Sequence, residues 1–142
     1  MRPQIVFDTN VVFSALYSRL GPSYDLLMRI GAGVFDAHLS TSLAIQYEDV
    51  VKRDIAQFGL PTQTIDDILD FLCTSAVHHR IYYLWRPFLP DAGDDLVLEL
   101  AVSARCDYII THNLRHFPRI KESFGIQPLT PLQFLKVIGA YP

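Results

Sequence analysis

Several parts of the sequence carry side-chain oxygens of the kind that bind hard divalent cations. Mg²⁺ and Mn²⁺ prefer oxygen ligands, and a cation relieves the repulsion between carboxylates that lie close together. The bound cation lowers the pKa of a water molecule and polarises a phosphate oxygen, and phosphodiester hydrolysis requires both effects. The candidate ligands lie in four separate segments and are Asp8, Glu48, the pair Asp94 and Asp95, and Asn113.

The elements that must position these oxygens alternate between strands and helices. Short apolar runs at residues 5–7 and 107–111 are typical of buried parallel strands. Further strands are predicted at 34–39, 77–85 and 126–129, and helices at 11–16, 24–30, 43–58, 65–72 and 96–104. The alternation predicts an α/β fold, a three-layer α/β/α sandwich with a central, mainly parallel sheet. We expect residues 1–142 to form a single domain.

The candidate ligands follow predicted strands or begin predicted helices. In open α/β sheets, ligands bind beyond the carboxyl ends of the strands. Asp8 and Asn113 each follow a strand, and Asp95 leads into the helix that precedes the strand at 107–111. We therefore expect Asp8, Asp95 and Asn113 to cluster at one edge of the sheet.

Each of these residues also has a purely structural interpretation. Asp8 would cap the helix that follows it, and Asp94 and Asp95 would be helix-capping or first-turn acids stabilised by the helix dipole. Glu48 would be a solvated helix residue, and Asn113 a turn residue. A capping role does not exclude metal binding.

The formal net charge of −3 argues against a protein that only coats nucleic acid, because such proteins are basic. If the chain meets nucleic acid, either a bound cation or a local group of basic residues must offset the acids. Basic residues do occur close together near the C-terminal end, at Arg115, His116, Arg119 and Lys121.

The sequence favours a soluble, cytoplasmic protein with no membrane contact. Its N-terminal residues lack the basic region and the long apolar segment of a signal peptide. No apolar run reaches the ~20 residues that span a bilayer. Cys73 and Cys106 have no CxxC neighbour, so we expect both to be buried thiols of a reducing compartment.

The order of the motifs resembles that of the PIN-domain family, which includes the VapC-like toxins of toxin–antitoxin pairs. The resemblance spans nearly the whole chain. It rests on residues 5–12 (IVFDTNVV), 46–53 (QYEDVVKR), 90–101 (PDAGDDLVLELA) and 107–117 (DYIITHNLRHF).

The resemblance implies an endoribonuclease that uses Mg²⁺ or Mn²⁺. Asp8 matches the first family acid, and Asp95 best matches the third, with Asp94 as its neighbour. The resemblance also implies a homodimer and a cognate antitoxin protein. The catalytic acids implied are Asp8, Glu48 and Asp95; the metal ligands are Asp8, Asp94, Asp95 and Asn113; the RNA-binding residues are Thr9, Asn10, Gln46, Thr111 and Arg115.

Two positions depart from the family pattern. The second family acid is Gln46 here, and Glu48, two residues on, points about 200° away on a helix. The fourth family acid is Asn113, whose amide oxygen is a neutral ligand. We therefore expect a site with two or three carboxylates and weak metal binding.

Three other interpretations compete with this one. A haloacid-dehalogenase-like phosphatase needs a second aspartate where Asn10 stands, and a lysine that the stretch 82–95 lacks. Zinc would have to use His112 and His116, which have the spacing i, i+4 but lack a nearby third ligand. A PIN fold with weakened chemistry would serve as a binding module for nucleic acid or protein, and it would not bind Mn²⁺.

Overall fold

The computed structural model describes residues 2–80 and 88–141, in which strands and helices alternate. In chain order the elements are β1 (Gln4–Phe7), α1 (Thr9–Tyr17), α2 (Pro22–Met28), β2 (Asp36–Ser40), α3 (Thr41–Arg53), α4 (Thr62–Ser75), β3 (Val77–His79), α5 (Ala92–Ser103), β4 (Tyr108–Ile110), α6 (Ile120–Phe124), β5 (Gln127–Leu129) and α7 (Pro131–Val137). Short 3-10 helices lie at Ile55–Phe58 and Leu114–His116. The predicted α/β class is confirmed.

The described strands form one parallel sheet in the order β3-β2-β1-β4-β5. β1 is central: Ile5 pairs with Ala37 of β2 on one side and with Tyr108 of β4 on the other. The strand order reverses between β1 and β4, and this switch point is where parallel sheets open a crevice at their carboxyl ends. Helices flank the sheet, as in the predicted three-layer sandwich.

The sequence of β1 is that of a buried central strand, because its apolar residues do not alternate with polar ones. No more than 1% of the surface of Ile5, Val6 or Phe7 is exposed. The apolar run ends abruptly at Asp8, whose backbone N–H still continues the sheet by donating to the Ile110 carbonyl at 2.8 Å. Asp8 is therefore fixed at the switch point by the end of the strand that carries it.

Helix boundaries differ from the predictions where a side chain caps the chain. The helix predicted at 96–104 begins at Ala92, because the Asp91 side chain accepts from the Gly93 N–H at 2.7 Å. The helix predicted at 43–58 begins at Thr41, capped by Ser40, and ends at Arg53 before the 3-10 turn.

The strand predictions agree in order but not in length. The second strand begins at Asp36, two residues later than expected, after the glycine turn that contains Gly33 at φ +88°. The strand predicted at 77–85 is strand from Val77 to His79, and its part from residue 81 onward lies outside the described residues.

Cys73 is half-buried and Cys106 is buried, and both are free thiols.

None of the helices in the described part of the chain has the length and apolar character that crossing a membrane requires.

Candidate active site

Asp8 caps a helix and lines a cleft at the same time. Its Oδ1 accepts from the Thr9 N–H at 2.8 Å, which caps α1, and its Oδ2 accepts from the Thr111 hydroxyl at 2.8 Å. Phe7 and Ile110 pair in the sheet, so the residues that follow them, Asp8 and Thr111, come side by side. The capping role of Asp8 is therefore observed, and its position in the cleft is compatible with the metal-binding role, which stays a prediction.

Asp94, in the first turn of α5, reaches the same cleft. Its side chain is 11% exposed, and its Oδ2 lies 3.2 Å from Nδ1 of His116. Asp91, the N-cap of α5, lies at the rim of the cleft. We call the region lined by Asp8, Asp91 and Asp94 the acid cleft; its volume is about 310 Å³.

Asp95 does not line the acid cleft, contrary to the expected cluster of Asp8, Asp95 and Asn113. One residue along a helix rotates the side chain by about 100°. Asp95 turns back toward the preceding loop, where its Oδ1 accepts from the Leu89 N–H at 2.9 Å. The neighbour Asp94 occupies the position in the cleft that the sequence assigned first to Asp95.

Glu48 lies away from the acid cleft, so the structure does not place it among the catalytic acids. Its side chain is 60% exposed and pairs with Lys52 at 3.3 Å on the outer face of α3. Gln46, two residues earlier, does line the cleft. The separation of the two side chains follows the helical rotation of about 200° that the sequence predicted.

Asn113 and Gln46 add neutral groups where the family pattern has acids. Both line the acid cleft. The Asn113 backbone N–H donates to the Thr111 hydroxyl at 3.0 Å, which fixes the start of the loop after β4. Gln46 Nε2 donates to Thr9 Oγ1 at 2.6 Å.

The remaining predicted RNA-binding residues have different environments. Thr9 and Asn10 line the cleft, although Asn10 also accepts from the His112 N–H at 3.2 Å. Thr111 is fully buried, with its hydroxyl engaged by Asp8, so the structure places it as a support for Asp8 and not as a contact for RNA. Arg115 lies on the outer rim, beside Asp91, Asp94 and His116.

Burial and mutual repulsion make the two inner carboxylates reluctant to ionise together. Burial, followed by the charge of Asp8, raises the pKa of Asp94 to about 6, and His116 acts in the opposite direction. Burial also raises the pKa of Asp8, and the Thr111 hydroxyl and Thr9 N–H oppose the rise. The acid cleft thus concentrates negative charge that a cation would stabilise.

The oxygens of the cleft fit a cation of the Mg²⁺ class that keeps most of its water. Mg²⁺ is usually held by one or two carboxylates and retains several waters, a role that Asp8 and Asp94 suit. In residues 2–80 and 88–141, no group of three or more His, Cys, Asp or Glu side chains is arranged to hold a metal ion. The match is to an ion held by two carboxylates and water, since Asp8 and Asp94 are both buried and both line the cleft.

The two histidines considered for zinc point to different partners. His112 Nε2 lies 2.8 Å from Ser23 Oγ, whereas His116 contacts Asp94. The structure gives no support to a shared zinc ion at this pair.

Sequence reasoning missed three features of the cleft. Phe13 lines it one helical turn after Thr9, and the i, i+4 spacing from Thr9 was the available signal. The contact of His116 with Asp94 had no signal in the sequence. Buried Tyr47 donates a hydrogen bond to the Phe7 carbonyl and so holds the end of β1.

Comparison with known families agrees with the fold. A parallel sheet with carboxylates at its central switch point is an arrangement suited to phosphoryl chemistry. The model of the PIN domain family matches residues 4–115, which is most of the chain. The chain therefore belongs to the PIN domain family. This is a nuclease-type fold, and nucleases of the family typically use divalent metal ions. A search among curated proteins gave no match.

Proposed function

We propose that the protein is a metal-dependent endoribonuclease that hydrolyses RNA phosphodiester bonds at the acid cleft. The observation that carries the proposal is the pair Asp8 and Asp94, two carboxylates from distant segments that are both buried and line one cleft, where the charge of Asp8 raises the pKa of Asp94. Nothing in ordinary helix capping requires Asp94 to be buried beside Asp8. The cost of this arrangement is offset when a cation and an RNA phosphate occupy the cleft.

Each residue of the cleft has a role in this proposal. Asp8 and Asp94 hold the Mg²⁺ or Mn²⁺, which when bound supplies an activated water and neutralises phosphate charge. The Thr111 hydroxyl and the Thr9 N–H each donate to one oxygen of Asp8 and so fix the orientation of its carboxylate. Asn113 and Gln46 offer neutral oxygens or amide hydrogens to water or to the RNA.

The basic residues at the rim help an acidic protein bind a polyanion. Arg115 lies beside Asp91 and Asp94 at the outer rim, where it would contact a phosphate that extends from the cleft. Because the net charge is −3 and the attraction is confined to a few local cations, few phosphates are neutralised and the affinity should fall only modestly as salt rises.

The test is a titration of the protein with Mn²⁺, followed by calorimetry, together with cleavage of labelled single-stranded RNA. We expect weak Mn²⁺ binding, cleavage that EDTA stops, and loss of both in Asp8→Asn. The asparagine still caps α1, so the variant should fold. The matched control is Asp49→Asn, which removes an exposed carboxylate from the outer face of α3. Cleavage by Asp8→Asn at the wild-type rate would refute the proposal.

The proposal extends to the setting of the activity. We propose a cytoplasmic toxin component of a toxin–antitoxin pair that acts as a homodimer. Expression of the wild type should then arrest growth, and Asp8→Asn should relieve the arrest. Sedimentation equilibrium tests the dimer separately. Normal growth during expression of an active nuclease would reject the toxin role alone.

A binding module is the second candidate, and a specific observation favours it. Gln46 and Asn113 are neutral, so the acid cleft has less charge for a cation than the family pattern provides. A module of this kind would bind RNA or a protein but would neither bind Mn²⁺ nor cut. The same titration separates the two candidates.

A further inference from the structure

The acid cleft continues into a groove between two helices. On α1, Thr9 and Phe13 are one turn apart, and on α3, Gln46 and Val50 are one turn apart; all four line the cleft. Four residues of helix extend about 6 Å, so Phe13 and Val50 lie one step farther from the acids than Thr9 and Gln46 do. The groove therefore joins a charged end to an apolar end.

Phe13 is fixed in place although it is only partly buried. Its ring meets the buried ring of Phe58 edge-on, with centroids 4.9 Å apart at 63°. Tyr17, the next turn of α1, stacks beside it at 14°. A partly exposed aromatic ring that its neighbours hold still is a suitable surface for stacking a planar group.

Gln46 presents a hydrogen-bond acceptor at the junction of the two ends. Its Nε2 is engaged by Thr9 Oγ1 at 2.6 Å, which fixes the orientation of the amide. Among the described residues no donor is hydrogen-bonded to Oε1. The opposite wall is Gly93, where a Cβ would lie 3.4 Å from both amide atoms, so the missing side chain leaves the amide accessible.

We propose that Phe13 and Gln46 form a nucleobase subsite beside the acids, selective for a base that carries an exocyclic amine. The inference rests on the proposed function, since it assigns the base next to the scissile phosphate to this groove. The base stacks on Phe13, as single-stranded nucleic acids stack on aromatic side chains. Its amine donates to Gln46 Oε1, whereas the carbonyl at the same position of uracil would face that oxygen and be repelled.

The test compares two oligonucleotides whose pyrimidine bases have the same shape and differ in the hydrogen-bonding groups of the Watson–Crick edge. Cytosine has an amine where uracil has a carbonyl, so labelled oligocytidylate and oligouridylate of equal length form a matched pair. Binding to the full chain is measured by fluorescence anisotropy in EDTA, which keeps hydrolysis out of the result. We expect the cytidylate to bind about fivefold more tightly.

Three variants assign the effect to residues. Phe13→Leu, which keeps the apolar packing, should weaken binding of both oligonucleotides by roughly tenfold. Gln46→Met removes both the acceptor for the amine and the oxygen that repels the uracil carbonyl, so the preference for cytidylate should disappear. Phe88→Leu is the control, because Phe88 is an exposed aromatic residue that contacts Phe124 and does not line the cleft, and this variant should bind as the wild type does.

The outcomes separate the subsite from the nuclease. Equal affinity for the two oligonucleotides, or a preference that survives Gln46→Met, overturns the subsite and leaves the proposed nuclease standing if RNA is still cut. Failure of the folded protein to bind either oligonucleotide in EDTA overturns the subsite, whereas failure to cut RNA with Mn²⁺ overturns the nuclease. A change in the oligomeric state of Phe13→Leu with unchanged affinity would instead overturn the subsite and make the groove a protein interface.

Discussion

Two acidic regions of the molecule have opposite electrostatic characters. On the outer face of α3, Glu48 and Asp49 are exposed and each pairs with a cation one turn away, Lys52 or Arg53. In the acid cleft, Asp8 and Asp94 are buried, and Asp94 lies 3.2 Å from the imidazole of His116, without a lysine or arginine in an ion pair with either carboxylate among the described residues.

The difference shows which property of an acidic cluster indicates function. Exposed, paired carboxylates are stabilised by solvent and neighbours, and such pairs contribute little to stability. Buried carboxylates whose pKa is raised by burial and by neighbouring acids are retained against a cost, which is a reason to look for a ligand. The predictions below would weaken or strengthen this contrast.

The largest expected effect comes from Asp94→Asn. Loss of one of the two buried carboxylates should lower RNA cleavage by about a hundredfold or more, which corresponds to roughly 2.7 kcal/mol in the barrier. The measurement is the rate of cleavage at saturating Mn²⁺. The matched variant Asp95→Asn removes the adjacent carboxylate, which bonds the loop at Leu89, and should retain most of the activity. A larger loss in Asp95→Asn than in Asp94→Asn would return the third acid to Asp95.

The second prediction restores charge to the cleft. Gln46→Glu combined with Asn113→Asp should tighten Mn²⁺ binding about tenfold, or ~1.4 kcal/mol, because each change adds a carboxylate beside Asp8 and Asp94. Without metal the same variant should melt at a lower temperature, since the added charges repel. Melting curves with and without Mn²⁺ measure both effects. Unchanged Mn²⁺ affinity would mean that these residues do not contact the cation.

The third prediction is that a substitution at Gly93 lowers activity without lowering stability. A Cβ there would lie 3.1 Å from Asp91 Oδ1, so Gly93→Ala should displace the rim of the cleft and lower cleavage severalfold. Alanine is favoured over glycine within a helix by about 0.5–1 kcal/mol, so the melting temperature should hold or rise. Gly21→Ala is the control, because its Cβ would meet only ordinary contacts, the nearest at 3.5 Å. A Gly93→Ala variant with full activity would show that Asp91 has no part in the site.

The fourth prediction concerns pH. The pKa of Asp94 is about 6 in the folded protein, above its ordinary value of 3.8, so the folded state binds more protons than the unfolded chain between these values. The free energy of unfolding of the metal-free protein should therefore fall as pH rises from 3.8 to about 6 and then level off. Asp94→Asn should flatten this decline. Equal slopes in both proteins would mean that Asp94 is not the group responsible.

The smallest effect is expected at the exposed acids. Glu48→Gln should change stability by less than about 0.5 kcal/mol and leave cleavage unchanged, because the Lys52 pair that it removes is exposed to solvent. Thermal melts and the cleavage assay check both statements. Strong loss of cleavage would restore Glu48 as a catalytic acid and remove the contrast between the two acidic regions.

The sequence predicted those features that depend on local pattern. The buried run before Asp8 located the first acid at a strand end, and helical periodicity separated Gln46 from Glu48 correctly. The choice between Asp94 and Asp95 failed, because it depends on where α5 begins. That boundary is set by two hydrogen bonds, one from the Gly93 N–H to the Asp91 cap and one from the Leu89 N–H to the Asp95 side chain. Composition does not reveal either of them.

The features of the cleft that the sequence did not predict depend on long-range packing. Phe13 lines the cleft because α1 and α3 face each other, and that pairing follows from the whole fold. His116 meets Asp94 only because the loop after β4 passes over the start of α5. Contacts of this kind join segments whose separation in sequence carries no periodic signal.

The hydrogen bond between Asp8 and Thr111 joins residues 103 positions apart, and this separation has a consequence for protein synthesis. At about 5–20 residues per second, a ribosome that has added Asp8 needs about 5–20 s more to add Thr111. Until then β1 lacks its neighbour β4, and the first carboxylate has no hydroxyl to orient it. If the proposed nuclease activity holds, a nascent chain that lacks Thr111 would therefore leave the message that encodes it uncut.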